Sequence, residues 1–357
     1  MFIESCVEFL GESHAVALTG LVVGAAFGFL AQRSKFCLRS AVIEFARNLT
    51  GGKLTVWLFA FSTALLVTQC LAQLRVFDAS ESRLLATRGS LSGAMVGGAL
   101  FGIGMIMARG CSSRLLVLAA QGNLRSLVSG LVFALAAQAA WTGILAPMRE
   151  FISSWWIVEG GAQRDLLAIT GADHASALIF GLVWLAAAVF WALRQRVAIW
   201  AWAGAVGVGF TIAAAWWATY AIAHISFDPH PIQSLSFTGP SAEVLARVLF
   251  ITERPITFDL GLVPGVFLGS FLAAAIFGEL KLEGFQGGAG MRRYLVGAML
   301  MGFGGMLAGG CAVGAGLSGT AIFSLTSFIT LTAMWVAAAL TDRLLDRHPE
   351  SGILEAI

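Results

Sequence analysis

The sequence predicts an all-α polytopic membrane protein with about nine transmembrane helices. Three observations carry that expectation. Of 357 residues, 58% are hydrophobic and only 12% are charged, against roughly 45–50% and roughly 25% in soluble domains. Apolar stretches recur at the length a bilayer demands, about 20 residues. Strand-like alternation is absent while Ala, Leu and Gly dominate, which favours helices over a closed barrel. The mean hydropathy of +0.84 agrees.

The nine stretches lie near 15–31, 54–74, 90–108, 124–146, 174–193, 198–223, 260–278, 294–310 and 320–341. Those at 90–108 and 294–310 are the richest in glycine. Trp155, Trp156, Trp200, Trp202, Trp216 and Trp217 fall near segment ends, where aromatic belts sit. The start of the chain carries Glu4, Glu8 and Glu12 and no cation, so a cleaved signal peptide is not expected. Basic residues collect in the first connection (Arg33, Lys35, Arg39, Arg47, Lys53) and after the fifth and seventh segments (Arg194, Arg196; Lys281, Arg292, Arg293). Arg343 and Arg347 make the tail basic too. An amino terminus outside and a carboxyl terminus in the cytoplasm put all four groups inside, as the positive-inside rule asks. That topology leaves the loop with Arg75, Arg83 and Arg88 outside, against the rule.

The chain also repeats itself. Residues 102–111 read GIGMIMARGC and residues 302–311 read GFGGMLAGGC. Ala94-Met95 echoes Ala298-Met299, Ser126-Leu127 echoes Ser324-Leu325, and GLVVGAAFG at 20–28 echoes GLVPGVFLG at 261–269. These echoes suggest one transmembrane domain over 1–357, with related halves at about 15–146 and 260–341 and 147–259 between them. In the topology above the two Gly-Cys segments run in opposite directions, as in the inverted repeats of many transporters. Close helix packing accounts for an isolated glycine pair equally well. It does not account for a cysteine closing both motifs.

A Gly-rich run ending in Gly-Cys has poor helix propensity, so the helix is expected to stop there and leave backbone groups exposed. Irregular backbone at membrane depth survives only where protein or a wet cavity satisfies it. Cys111 and Cys311, with Gly110 and Gly310, are therefore expected to face an internal path. Arg109, Ser112, Ser113 and Arg114 flank the first; Gly314, Gly316, Ser318 and Gly319 follow the second. Such donors with helix N-termini suit an anion. Arg109 and Arg114 read either as anion-attracting charges or as interfacial anchors. Cys37 sits in RSKFCLRS (33–40), and its position in the second half is not cysteine, so the repeat does not account for it. It is either an interfacial residue or a thiol that serves an anion as a weak donor. The five cysteines form no CxxC and no zinc spacing. The links 147–173 and 224–259 look aqueous, and His224, Asp228 and His230 read as surface-loop residues rather than metal ligands.

Over most of its length the chain resembles the YeeE/YedE family of membrane proteins, through SKFC at 34–37 and the two Gly-Cys motifs. The resemblance implies thiosulfate uptake and an inverted-repeat helical fold, hourglass-shaped, with short re-entrant helices pointing to its waist. It further implies that three cysteines pass the ion along by S–H hydrogen bonds, at Cys37, Cys111 and Cys311 here, while Cys6 and Cys70 match no such role. A small cytoplasmic sulfur-carrier protein of the TusA type is implied as a partner; nothing in the sequence shows it directly. The expectation is a transporter, not an enzyme, moving thiosulfate or a similar sulfur anion inward across the bacterial cytoplasmic membrane. It would meet membrane lipid, and neither nucleic acid, metal nor cofactor. No Walker motif is present. A membrane sulfurtransferase or thiol oxidoreductase would need a base beside its cysteine, and no His lies near either motif. A third class is a membrane anchor for a soluble sulfur-carrier protein.

Overall fold

The computed structural model describes residues 11–49, 51–228, 230–249, 256–284 and 288–346; Glu4, Cys6, Glu8 and Arg347 lie outside them. The described chain is built from helices α1 (Glu12–Ser34), α2 (Leu38–Ala46), α3 (Lys53–Gln73), α4 (Leu91–Met107), α5 (Ser112–Ala120) and α6 (Leu124–Trp141). There follow α7 (His174–Gln195), α8 (Ile199–Ile225), α9 (Thr238–Leu249), α10 (Phe258–Ile276), α11 (Gly288–Ala308) and α12 (Leu325–Leu345). Each of the nine expected segments falls on a long helix. Among the described residues, eight helices are long and apolar enough to cross a membrane. The remaining one, α11, is 21 residues long but carries Arg292 and Arg293 near its start.

Glycines set the packing. Gly20, Gly24 and Gly28 of α1 press in turn on the carbonyls of Phe258, Leu262 and Val266, and Gly261, Gly265 and Gly269 of α10 press back on Ala17, Leu21 and Ala25. A Cβ at any of these six positions would sit 1.9–2.5 Å from a backbone oxygen. The echo between 20–28 and 261–269 is thus two faces of one small-residue interface, in which the backbones touch. The order of contacts makes α1 and α10 parallel. In the same way Gly97 and Gly104 of α4 meet Gly304 and Gly297 of α11 in reverse order, while Gly98 and Gly102 meet Thr330 and Met334 of α12 in forward order.

Further contacts complete the directions. His174, starting α7, bonds Gln69 near the end of α3, and Gly204, early in α8, lies on Ser34 at the end of α1. Gly209 of α8 lies on Ala60 and Thr63 of α3, and Gly302 of α11 lies on Phe133 and Ala137 of α6. The long helices therefore alternate in direction. Glu12 begins on one face, here called the amino face, and α12 ends on the opposite, carboxyl face.

The link 224–259 is not a surface loop throughout. Its stretch Ile232–Phe237 is buried except at Ser236, and side chains pin it in place. Thr219 donates to Gln233 O at 2.7 Å, Ser234 to Ile212 O at 2.8 Å, and Ser318 to Leu235 O at 2.7 Å. An extended strand of polar backbone can lie inside only with such partners. Trp216 is no belt residue: it is 1% exposed, and its Nε1 donates to Ser318 O at 3.2 Å. Trp155, Trp156 and Trp200 are exposed, as belt positions should be.

Candidate substrate pathway at three cysteine turns

Three helices end in the same way, each two residues before a cysteine. Helix α1 closes at Lys35 (φ 52°), α4 at Arg109 (φ 55°) and α11 at Gly309 (φ 74°). In each, the following amide reaches five residues back: Phe36 N–H to Ala31 O at 3.1 Å, Gly110 N–H to Met105 O at 3.1 Å, and Gly310 N–H to Gly305 O at 3.0 Å. This is the Schellman closure, in which a left-handed residue turns the chain out of its helix. The same closure stands at Asn48, Arg75, Gly122, Gly171, Arg196, Gly278 and Phe323, where no cysteine follows. Lysine and arginine in that conformation cost about 1–2 kcal/mol. Cys37 thus stands at the same structural position as the two motif cysteines, although its letters do not align with theirs.

Cys37 and Cys111 lie together on the carboxyl side. Their thiols are close enough to act on each other electrostatically, and Cys111 Sγ lies 3.4 Å from Ser113 Oγ. Cys37 caps the N-terminus of α2 and Cys111 that of α5, each helix nine residues long. Two helix N-termini, with partial positive charge, therefore converge on the sulfur pair. Arg39 and Arg114 are close enough to act on Cys37 electrostatically, and Arg109 lies near Arg39. Arg114 Nη1, Arg39 Nε and Ser112 Oγ are buried without a partner. Arg109 leans over the Tyr294 ring, 5.9 Å from its centroid. The arrangement offers donors and positive charge to an anion, and among the described residues no carboxylate or imidazole hydrogen-bonds either sulfur.

Helix α2 is fastened from its far end. Arg47 donates to both Asp342 oxygens, at 2.8 and 2.7 Å, and Asp342 is fully buried. That carboxylate raises the Arg47 pKa above its ordinary value. Arg39 and Arg293 reach Asp346 at 3.9 and 2.8 Å, so the same helix end holds the support of Cys37.

Cys311 and Gly310 belong to the amino side. Cys311 is fully buried, and its sulfur accepts from Phe237 N–H at 3.3 Å and Gly314 N–H at 3.4 Å, with Ser236 Oγ at 4.0 Å. The chain then winds through a π-helical turn, Gly314–Gly319, a form frequent at functional sites. A Cβ on Gly314 would meet Ser236 Oγ at 2.5 Å, so glycine there lets the pinned strand approach. Outside this turn opens a cavity of about 560 Å³ on the amino face. Arg83, Arg164, Ser236, Thr238 and the Gly309–Gly310 turn line it. Strands β1 (Gly89–Ser90) and β2 (Ile157–Val158) pair antiparallel beside it.

Of the residues singled out in the sequence, Cys37, Cys111, Arg109, Arg114 and Gly110 collect on the carboxyl side, and Cys311 and Gly310 on the amino side. Sequence reasoning missed Ser236, Phe237, Arg164 and Thr238. The alternation in Gln233-Ser234-Leu235-Ser236-Phe237 was the available signal, a buried extended segment. Cys70 is exposed and belongs to neither site. His224 and His230 lie beside different acids, Glu81 at 3.4 Å and Glu12 at 4.0 Å.

Residues 33–340 match the sulphur transport family. The thiosulfate transporter TsuA of Spirochaeta thermophila is 28% identical over 326 residues, which cover 87% of this chain and 93% of that protein. The thiosulfate transporter TsuA of Escherichia coli K12 is 26% identical over 365 residues, covering 91% and 94%.

Proposed function

The chain belongs to the sulphur transport family, and from that premise we propose that it carries thiosulfate inward across the cytoplasmic membrane of a bacterium. The ion enters at the amino face and is passed by S–H hydrogen bonds from Cys311 to Cys111 and Cys37. It leaves at the carboxyl face, past Arg109 and Arg114. Gly110 and Gly310 shape the two turns, and the halves at about 15–146 and 260–341 act as one transport unit.

The observation that carries this reading is the threefold recurrence of one helix closure ahead of a buried cysteine. A thiol is a weak donor, and a site that conducts must bind weakly enough to let go. The names of both relatives support thiosulfate as the substrate. The orientation is supported by charge: Lys35, Arg39, Arg47, Lys53, Arg194, Arg196 and Lys281 all sit on the carboxyl face, which the positive-inside rule makes cytoplasmic. The released ion is handed there to a small sulfur carrier of the TusA type. Lipid covers the outward side of α7, where Ile179, Leu182, Val183 and Leu193 are exposed.

Uptake of radiolabelled thiosulfate by liposomes holding the purified chain tests the reading. Uptake should be lost in Cys111→Ala and in Cys311→Ala and retained in Cys70→Ala. Wild-type liposomes that take up no thiosulfate would refute the function. Full uptake by the Cys111→Ala, Cys311→Ala double variant would refute the relay alone.

A further inference from the structure

Arg164 is 5% exposed, yet it lines the amino-face cavity. Two of its nitrogens are engaged: Nη1 donates to Thr87 O at 2.7 Å and Nη2 to Thr326 Oγ1 at 2.8 Å. Its Nε has no partner. It lies against Gly89, also on the cavity wall, where a Cβ would come within 2.5 Å of it. Burial pulls the Arg164 pKa below its ordinary value, and no carboxylate acts to pull it back. The two acids on the wall are engaged elsewhere: Asp259 accepts from Gln233 at 3.0 Å, and Glu150 pairs with Arg149 at 3.2 Å. A guanidinium keeps its proton at any physiological pH, so a buried cation stands here without a counter-charge among the described residues.

Thr238 is a second such group. It is 1% exposed, its Oγ1 is buried without a partner, and it lines the same cavity. Its neighbour along the wall is Ser236, whose hydroxyl points toward Cys311. Buried polar atoms are normally satisfied, and a charged one left unsatisfied is costly. Two on one wall, both able to donate, define a place built for an acceptor that comes and goes.

We propose that Arg164 Nε and Thr238 Oγ1 form an anion-capture subsite in the amino-face cavity, which takes one oxyanion of the substrate before it reaches Cys311. The proposal rests on the transport reading for the identity of the anion, and its chemical demand is a small tetrahedral oxyanion. Arg164 is locked by Thr87 and Thr326, so its guanidinium needs no ordering when the ion arrives. The subsite is a positioning device: it raises occupancy at the mouth and takes no part in passage through the thiols.

The test is the concentration dependence of thiosulfate uptake by liposomes holding the full chain. A lost charge-assisted hydrogen bond should raise KM at least about tenfold in Arg164→Gln, and a lost neutral one about threefold in Thr238→Val. The maximal rate should stay near wild type in both. Arg164→Lys, which keeps the charge but not the fixed N–H, should fall between. Thr238→Val preserves shape, so it carries the test if Arg164→Gln does not fold. Unchanged KM with a reduced maximal rate in the variants would overturn the subsite and leave transport standing. If wild type takes up no thiosulfate, binding decides: sodium thiosulfate should raise the thermal unfolding midpoint of solubilised wild type and not of Thr238→Val. Equal stabilisation of both would overturn the subsite.

Discussion

Replacing Cys311 by Ala removes more than a thiol, because its sulfur is the acceptor for two buried backbone N–H groups, those of Phe237 and Gly314. A buried donor left without a partner costs about 1–3 kcal/mol, and no water reaches a residue that is fully buried. Sulfur is a weak acceptor, so the lower end applies, and the two losses together come to about 2 kcal/mol. Cys111 differs: Ser113 Oγ lies 3.4 Å from its sulfur and can rotate to another partner, and the Arg114 backbone N–H acts on the sulfur less than Cys37 and Ser113 do. Cys311→Ala should therefore lower the thermal unfolding midpoint of the detergent-solubilised protein clearly, while Cys111→Ala should lower it by less. Both should abolish thiosulfate uptake. Cys311→Ser keeps an acceptor and should restore the midpoint without restoring full uptake. Equal midpoints for Cys311→Ala and wild type would refute the argument that the sulfur holds the strand 232–237 in place.

Two other outcomes follow from the packing. Gly265→Val puts a branched side chain where a Cβ alone would lie 2.3 Å from Leu21 O. The α1–α10 contact must then open, and little folded protein should be recovered by size-exclusion chromatography, whereas Gly130→Val, with open space around it, should behave as wild type. Arg47→Ala leaves Asp342 buried without its bidentate partner, which should cost about 3 kcal/mol, the low end of the buried-pair range, since Arg47 is partly exposed. Thermal unfolding of Arg47→Ala against the Arg47→Ala, Asp342→Ala double variant checks it: the double should recover part of the loss.

The long helices were legible because their signal is local. An apolar stretch of bilayer length needs no partner to be recognised, and all nine lie on helices. Gly-Cys was legible as a helix stop for the same reason, since glycine-rich runs fail locally. The equivalence of Cys37 with Cys111 and Cys311 was hidden because the Schellman closure is a backbone conformation. Lys35 and Arg109 adopt the left-handed form that glycine takes at 309, so the shape recurs while the letters differ. The strand 232–237 was hidden for the opposite reason. Its polar residues read as solvent-facing, and only the tertiary partners Thr219, Ile212 and Ser318 show how they are satisfied inside. Trp216 was misread because a tryptophan near a segment end is judged by distance along the chain, while burial depends on what packs against it.

Cys311, Cys111 and Cys37 are 0%, 0% and 6% exposed as residues, so passage of an ion requires some part of the framework to yield. The glycine interface of α1 with α10 is a poor candidate, since backbones in contact at six positions have no room to slide. The short elements that carry the cysteines are better ones. Helix α2 is held at its far end by the short bidentate Arg47–Asp342 pair and near Cys37 by the longer Arg39–Asp346 contact of 3.9 Å, so its N-terminus is the end more able to swing. On the other side, the π turn Gly314–Gly319 is rich in glycine, which gives its backbone a freedom the long helices lack. Rigid long helices with yielding short ones would confine the motion to the residues around each sulfur. That division suits a substrate small enough to pass without any rearrangement of the bundle.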